Sequence, residues 1–215
     1  MEAFKAYPPL VAPMMAKYGG GYVGVKLGVS EDARGSELCE AVDIAPVLEF
    51  PKRDKCFEFL TSDEYAKIAP LRTDNSDFSL LAMDANLLPE NFDTSTFGAY
   101  LVTMKKFTDP ATFKEQYPPL LKANNEKFNA TMIARVAFKD DPALILSVGC
   151  EAYDFAVVIG FDSVDKAVEY IHDEEFGAKQ TAIRLACTTG PLTVIKATSK
   201  IDGPFPQYTG TPHDR

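Results

Sequence analysis

The strongest constraint in this sequence is that it repeats itself. Phe4-Lys5-Ala6-Tyr7-Pro8-Pro9-Leu10, running on to Lys17-Tyr18-Gly19-Gly20, is matched by Phe113-Lys114-Glu115-Gln116-Tyr117-Pro118-Pro119-Leu120, running on to Lys127-Phe128-Asn129-Ala130. Phe50-Pro51-Lys52-Arg53-Asp54-Lys55 is matched by Phe161-Asp162-Ser163-Val164-Asp165-Lys166, Glu58 and Phe59 by Glu169 and Tyr170, and Glu64-Tyr65 by Glu175-Phe176. Arg72 then meets Arg184, and Ala85 meets Ala197. Ordered matches across several elements, all at an offset of about 110 residues, argue for a duplicated domain, because that period is too long for a solenoid. The seam is the polar stretch from Asn86 to Thr96, which contains Pro89. The expected organisation is a first repeat over 1–86, a second over 97–198, and a Pro/Gly-rich tail over 199–215.

The second copy is complete and sets the pattern. Gly98 to Lys105 alternates and is rich in strand formers. Asp109-Pro110 reads as an N-cap and first helical residue: the carboxylate accepts from a free first-turn amide, and the fixed φ of proline suits that position. The helix runs toward Lys127, with a kink or restart expected at Pro118-Pro119, which have no amide to donate. Asn129 suits a left-handed cap, as Gly19 or Gly20 does in the first copy. Thr131 to Phe138 is a strand, Ala143 to Val148 a candidate extension of the sheet, and Tyr153 to Phe161 a nearly continuous apolar, hence central, strand. Ser163 opens a helix with Ala167, Val168 and Ile171 on one face, Glu175 to Ala186 is a second helical stretch, and Pro191 to Ala197 closes the unit. This β-α-β-β-α-β order is the ferredoxin-like split βαβ. The expected class is therefore α+β, with two ferredoxin-like repeats packed sheet against sheet as a pseudo-dimer, since each sheet has one helix-covered face and must bury the other. Tyr22 to Leu27 and Thr131 to Phe138 should line the shared interior.

The first copy opens at Met1-Glu2-Ala3-Phe4, already inside the equivalent helix, so its first strand is missing. That strand is central in a ferredoxin-like sheet. Its neighbours, near Ile44 to Phe50 and Phe78 to Met83, would carry unpaired backbone groups at about 1–3 kcal/mol each. Either the natural chain begins upstream, which is the expectation here, or the neighbouring strands close up and pair.

The Lys17-Tyr18-Gly19-Gly20 turn, Asp63-Glu64-Tyr65 and Arg72 resemble the domain-of-unknown-function 1330 family, of the dimeric α/β-barrel superfamily. The resemblance covers about residues 2–86 and 97–198. The second copy departs from it with Asn129-Ala130 for the glycines and Glu174-Glu175-Phe176 for Asp-Glu-Tyr. It implies an intramolecular dimeric α/β barrel, the first repeat lacking its first strand, around a pocket for a small apolar or aromatic molecule. Superfamily relatives include cofactor-independent monooxygenases, lactone isomerases and polyketide cyclases. A non-catalytic accessory or scaffold subunit is the alternative. A closed pocket lined by Tyr and Arg favours the first reading, a side-chain-filled barrel the second, and fold alone does not choose.

Charge excludes some partners. With 22 basic against 31 acidic residues and a net charge of −9, there is no footprint for nucleic acid and no basic cluster for an anionic membrane. No apolar run approaches the ~20 residues of a membrane span. Cys39, Cys56, Cys150 and Cys187 are widely spaced and form no C-x-x-C, so neither zinc nor a redox pair is expected, and a cytoplasmic or other reducing compartment is. G-x-S-x-G, Walker A, G-x-G-x-x-G before a helix, and H-E-x-x-H are all missing from the sequence, and no cofactor or metal is expected.

The candidate chemistry therefore rests on few residues. His172, near a helix end, is the candidate base, because an imidazole can serve as a general base near neutral pH, with Tyr117 and Arg184 beside it. Tyr7, Tyr65 and Arg72 are the candidate ligand contacts of the first copy. One arginine per half suits an acidic ligand or, alternatively, an ion pair that locks the second helix in place. Asn124-Asn125 replaces Met14-Met15 and is expected to face solvent. The partners expected are a small-molecule ligand and the internal pseudo-dimer, with a further homo-oligomer or a larger complex left open.

Overall fold

The computed structural model describes residues 2–27, 44–150 and 152–201. The chain is α+β. Helix α1 (Glu2–Lys17) leads into strands β1 (Gly21–Leu27) and β2 (Ile44–Glu49). Three short helices follow, α2 (Arg53–Leu60), α3 (Asp63–Ile68) and α4 (Pro70–Thr73), then strand β3 (Leu80–Met83). After the seam come β4 (Ala99–Phe107), α5 (Pro110–Phe128), β5 (Thr131–Ala137), β6 (Leu144–Val148) and β7 (Phe155–Phe161). Helices α6 (Val164–His172) and α7 (Gly177–Cys187), the short β8 (Thr188–Thr189) and β9 (Leu192–Ile201) complete the chain.

Local chemistry explains the element ends. Asp109 accepts from the amide of Thr112 at 3.1 Å and Pro110 takes the first helical position, as expected. Ser163 caps α6 by accepting from the amide of Lys166 at 3.2 Å. Asn129 (φ 50°) and Gly19 (φ 73°) supply the left-handed turns that end α5 and α1. The helix does not restart at Pro118-Pro119: α5 runs through both prolines, and α1 through Pro8, Pro9 and Pro13. The prolines remove amide donors, but the flanking turns and the packed face of each helix hold it together across the gap.

The strands form one curled antiparallel sheet in the order β2-β1-β9-β4-β7-β5, with β8 beside β4. Within the second half the order β9-β4-β7-β5 places the apolar β7 between two neighbours, as its composition requires. The halves do not face one another as two separate sheets. They share one, because β1 pairs with β9, with Gly24 opposite Ala197. The last strand therefore runs on to Ile201, so the expected tail beginning at 199 starts later; residues 202–215, with His213, lie outside the described residues, as does Cys39. Strand β6 does not extend the main sheet but pairs with β3 in a two-stranded sheet, with Leu80 opposite Val148. Among the described residues β2 and β3 do not pair, and β2 ends the main sheet. Pro46 in β2 suits an edge, since it has no amide to offer a further strand.

Both faces of the sheet are packed. On the helix side of the second half, Ala99, Leu101, Ile159, Phe161 and Val194 meet Ala167, Tyr170 and Ile171 of α6. In the first half Tyr7, Val11 and Met15 of α1 pack on Tyr22, Phe59, Tyr65 and Ile68. The inner face is filled by Val23, Phe97, Tyr100, Ile133, Ala134 and Ile195, against which Val47 and Met83 also pack. Gly160 lies on this face because a side chain there would collide with the ring of Phe97.

Candidate functional site

The largest concentration of buried polar groups lies on the helix side of the second half. Along β4, Ala99, Leu101, Thr103 and Lys105 alternate toward the helices, and all four are buried. On α5, Phe113, Tyr117 and Leu121 are spaced at i and i+4 and share one face; the Phe113 ring stacks on Tyr117 with centroids 4.4 Å apart, which holds the phenol in place. On α7, Gln180 and Arg184 share a face by the same spacing. Between these elements is a cavity of about 40 Å³, whose polar lining comes from Thr103, Lys105, Tyr117, Tyr170, Gln180 and Arg184.

Arg184 is 4% exposed and donates to the hydroxyls of Tyr117 at 3.4 Å and Thr181 at 2.9 Å. Lys105, 1% exposed, donates to the carbonyl of Gly190 at 2.5 Å. Asn124 was expected to face solvent and does not: it is fully buried. Its amide nitrogen donates to the carbonyl of Tyr170 at 2.9 Å and to Oε1 of Gln180 at 2.8 Å. Asn125 accepts from the Tyr170 hydroxyl at 2.8 Å. Burying amides is costly unless they are paired, and this network pairs most of them. Burial pushes the Tyr170 phenol up, so it acts as a neutral donor.

Of the three residues expected to meet here, the structure brings together two. Tyr117 and Arg184 both line the cavity. His172 is exposed at the end of α6 and does not line it, although its neighbour Ile171 does.

The first half repeats the pairing with different surroundings. Tyr7 and Tyr65 are buried, with their hydroxyls 3.3 Å apart. The Arg72 guanidinium lies over three rings, 4.2 Å from Phe78, 5.6 Å from Tyr7 and 5.9 Å from Tyr65. Its Nε is buried and has no hydrogen-bond partner among the described residues. Burial, and then the neighbouring Tyr65, push the Tyr7 phenol up, while Arg72 opposes the shift; Tyr22 is raised by burial too. These phenols are neutral at physiological pH and can orient a ligand but not act as bases.

Ion pairs join matched residues in both halves. Lys17 meets Glu64 at 2.7 Å, and Lys127 meets Glu175 at 3.2 Å and Asp173 at 2.5 Å. Matched residues thus find matched partners in both halves: Lys with Glu, and Tyr with Arg. A second, open groove of about 270 Å³ near Phe138, Ser147 and Cys150 carries, among the described residues, one charge of each sign, Lys139 and Asp154. Among the described residues no cluster of three metal-ligating side chains occurs, and no helix is long and apolar enough to cross a membrane.

Sequence reading did not single out Lys105 or Gln180 for the site. The signal available was a position-by-position comparison of the halves. The offset that relates Arg72 to Arg184 also relates Ile68 to Gln180, and Asn124 replaces Met14. An apolar pair has become an amide pair beside the cavity.

The architecture is that of an α+β protein with a curled antiparallel sheet covered by helices. Residues 1–86 match the model of the family described as Domain of unknown function (DUF1330). No curated protein matches the chain.

Proposed function

We propose that this chain is a small-molecule-binding protein built from two ferredoxin-like repeats, with its ligand site in the second repeat, between the helices and the sheet. The supporting observation is the Tyr117–Arg184 pair, set on two different helices and facing one cavity. In this reading the pair orients a polar group of the ligand while Leu101, Ile159 and Leu192 exclude water. The duplication is supported by the matched Lys–Glu and Tyr–Arg contacts of the two halves, and the strand order β9-β4-β7-β5 is the one expected of a ferredoxin-like sheet.

The size of the cavity bears on the ligand. Cavities of about 150 Å³ accept benzene, whereas this one has room for about three water-sized groups. A short polar molecule fits better than an aromatic one. His172 stands outside this site, so the reading assigns it no proton-transfer role. Monooxygenase, isomerase and cyclase chemistry remain readings by resemblance.

The test is native mass spectrometry and protein-observed NMR on the purified full chain, with a panel of short polar metabolites. Specific binders should perturb residues around Tyr117 and Arg184, and Arg184→Ala should abolish those shifts while the rest of the spectrum stays native-like. Ligands that bind and perturb only other surfaces would refute the assignment. A second reading, a non-catalytic accessory subunit, is favoured by the filled inner face of the sheet. It predicts co-purification of a stable partner protein and no specific small-molecule binder.

A further inference from the structure

Strand β5 ends the main sheet on the side of the second half, and an edge strand offers its outward amides and carbonyls to any further strand. We infer that the seam between the repeats is a lock on this edge: Asn86 stands in for the next strand and keeps β5 from pairing with β5 of a second copy of the chain.

The register shows which groups face outward. Phe138 donates its amide to the carbonyl of Asp154, just before β7, at 3.0 Å, and antiparallel alternation then turns the backbone groups of Arg135 and Ala137 away from β7. The Arg135 amide donates to Oδ1 of Asn86 at 3.1 Å, and the Arg135 carbonyl accepts from Nδ2 of Asn86 at 2.9 Å. The Leu87 amide donates to the Ile133 carbonyl at 3.2 Å, and the Ala137 amide to Oδ2 of Asp141 at 2.8 Å. The hydrogen bonds from Ala137 and Ala143 hold the Asp141 carboxyl below its usual range, so it is a charged acceptor at neutral pH. The outward groups from the Ile133 carbonyl to the Ala137 amide are thus taken in turn by the seam and by Asp141.

The chemistry of asparagine suits this place. A side-chain amide carries a carbonyl and an N–H, the same pair that a strand residue would present. Its orientation is fixed, because the Arg135 amide only donates and the Arg135 carbonyl only accepts. Unlike a strand, it sets no new row of backbone groups beyond itself, so pairing stops there. The seam is held on both sides of Asn86. Before it, the Asp84 amide donates to the Ala143 carbonyl at 2.8 Å, and the Asp84 carboxylate accepts from Arg53 at 2.6 Å. After it, Leu88 packs against the inner-face cluster. Removing the Asn86 amide leaves Arg135 with an outward donor and acceptor on a strand rich in strand formers, Thr131, Ile133 and Val136. A second copy offers the matching edge, and antiparallel β5–β5 pairing about a two-fold axis satisfies both strands at once. The exposed Arg135 side chain is a second guard, since like charges facing one another across such a pair oppose it.

The experiment compares the full chain with Asn86→Ala by sedimentation velocity over about a hundredfold range of concentration, in about 0.5 M sodium chloride to screen the Arg135 charges. Amide exchange is followed by NMR at both ends of the range. Asn86→Ala should self-associate at least tenfold more tightly than the parent. Its Arg135 amide should exchange at least tenfold faster than the parent's at the lowest concentration and regain protection at the highest. If Asn86→Ala does not fold, Asn86→Leu, which also lacks the amide, replaces it with the same expectation. A folded variant that associates no more tightly than the parent overturns the lock. So does one that associates while its Arg135 amide stays fast throughout, since the contact then lies elsewhere. An Arg135 amide as slow in the dilute variant as in the parent overturns it too, because Asn86 would then not be what covers the edge.

Discussion

Replacing Asn124 by Met, the residue at the matching first-half position, removes two hydrogen bonds from a fully buried side chain. It orphans Oε1 of Gln180 and withdraws a donor from the Tyr170 carbonyl. At about 1–3 kcal/mol per unsatisfied buried group, the single variant should lose roughly 2–4 kcal/mol. Gln180→Ile alone removes one of these bonds and leaves part of the Asn124 amide without a partner, for about 1–3 kcal/mol. The double variant restores the apolar pair that packs well in the first half. It should come within about 1 kcal/mol of the parent, because polar partners are removed together. The coupling energy is then about 2 kcal/mol or more, well above the ~0.5 kcal/mol scatter expected of independent sites. Urea denaturation of the four proteins at one pH, with slopes compared to confirm the same transition, gives the numbers. Costs that add within about 0.5 kcal/mol, or single variants as stable as the parent, would refute the claim that Asn124 and Gln180 form one buried unit.

Three further outcomes follow from the structure. Gly160→Val should destabilise by about 1–3 kcal/mol in thermal melts, since its side chain would enter the space of the Phe97 ring on the filled inner face; a neutral result would mean that face has room to spare. Burial pushes the Cys56 thiol up to about 11, so alkylation of Cys56 at pH 8, followed by peptide mapping, should be negligible in the native protein and rapid in urea. The hydrogen bond from Lys127 holds the Asp173 carboxyl below its usual range, so its stabilisation is present above the unfolded value near ~3.9 and lost as pH falls through the folded value. Lys127→Met should therefore show a smaller loss of urea resistance between pH 5 and about 3 than the parent, and an equal loss would remove the pair from the account.

What the sequence carried, and what it did not, divides along physical lines. Cap chemistry is local, so Asp109, Ser163 and Asn129 announced their roles directly. The apolar run of β7 announced a central strand because burial on both faces leaves no room for alternation. The joining of the halves through β1 and β9 was hidden, because pairing between distant strands depends on the whole sheet rather than on either segment. That α5 does not restart at Pro118-Pro119 was hidden for a related reason: local propensity argued against a continuous helix there, and tertiary packing overrode it. Tyr117 and Arg184 were legible because the duplication repeats them. Lys105 was not, since a lysine at a strand end reads as a solvated residue until the loop at Gly190 is seen to accept from it. His172 illustrates the converse. Its imidazole suggested chemistry, but one residue of helix rotation puts Ile171 on the cavity and leaves the imidazole exposed.

The most direct test is a crystal of the full chain soaked with the binders found in the panel of short polar metabolites. The account predicts ligand density inside the second-half cavity, within hydrogen-bonding reach of Tyr117 and Arg184, and its loss in Arg184→Ala. Density confined to other surfaces, with the cavity holding water or nothing, would contradict it.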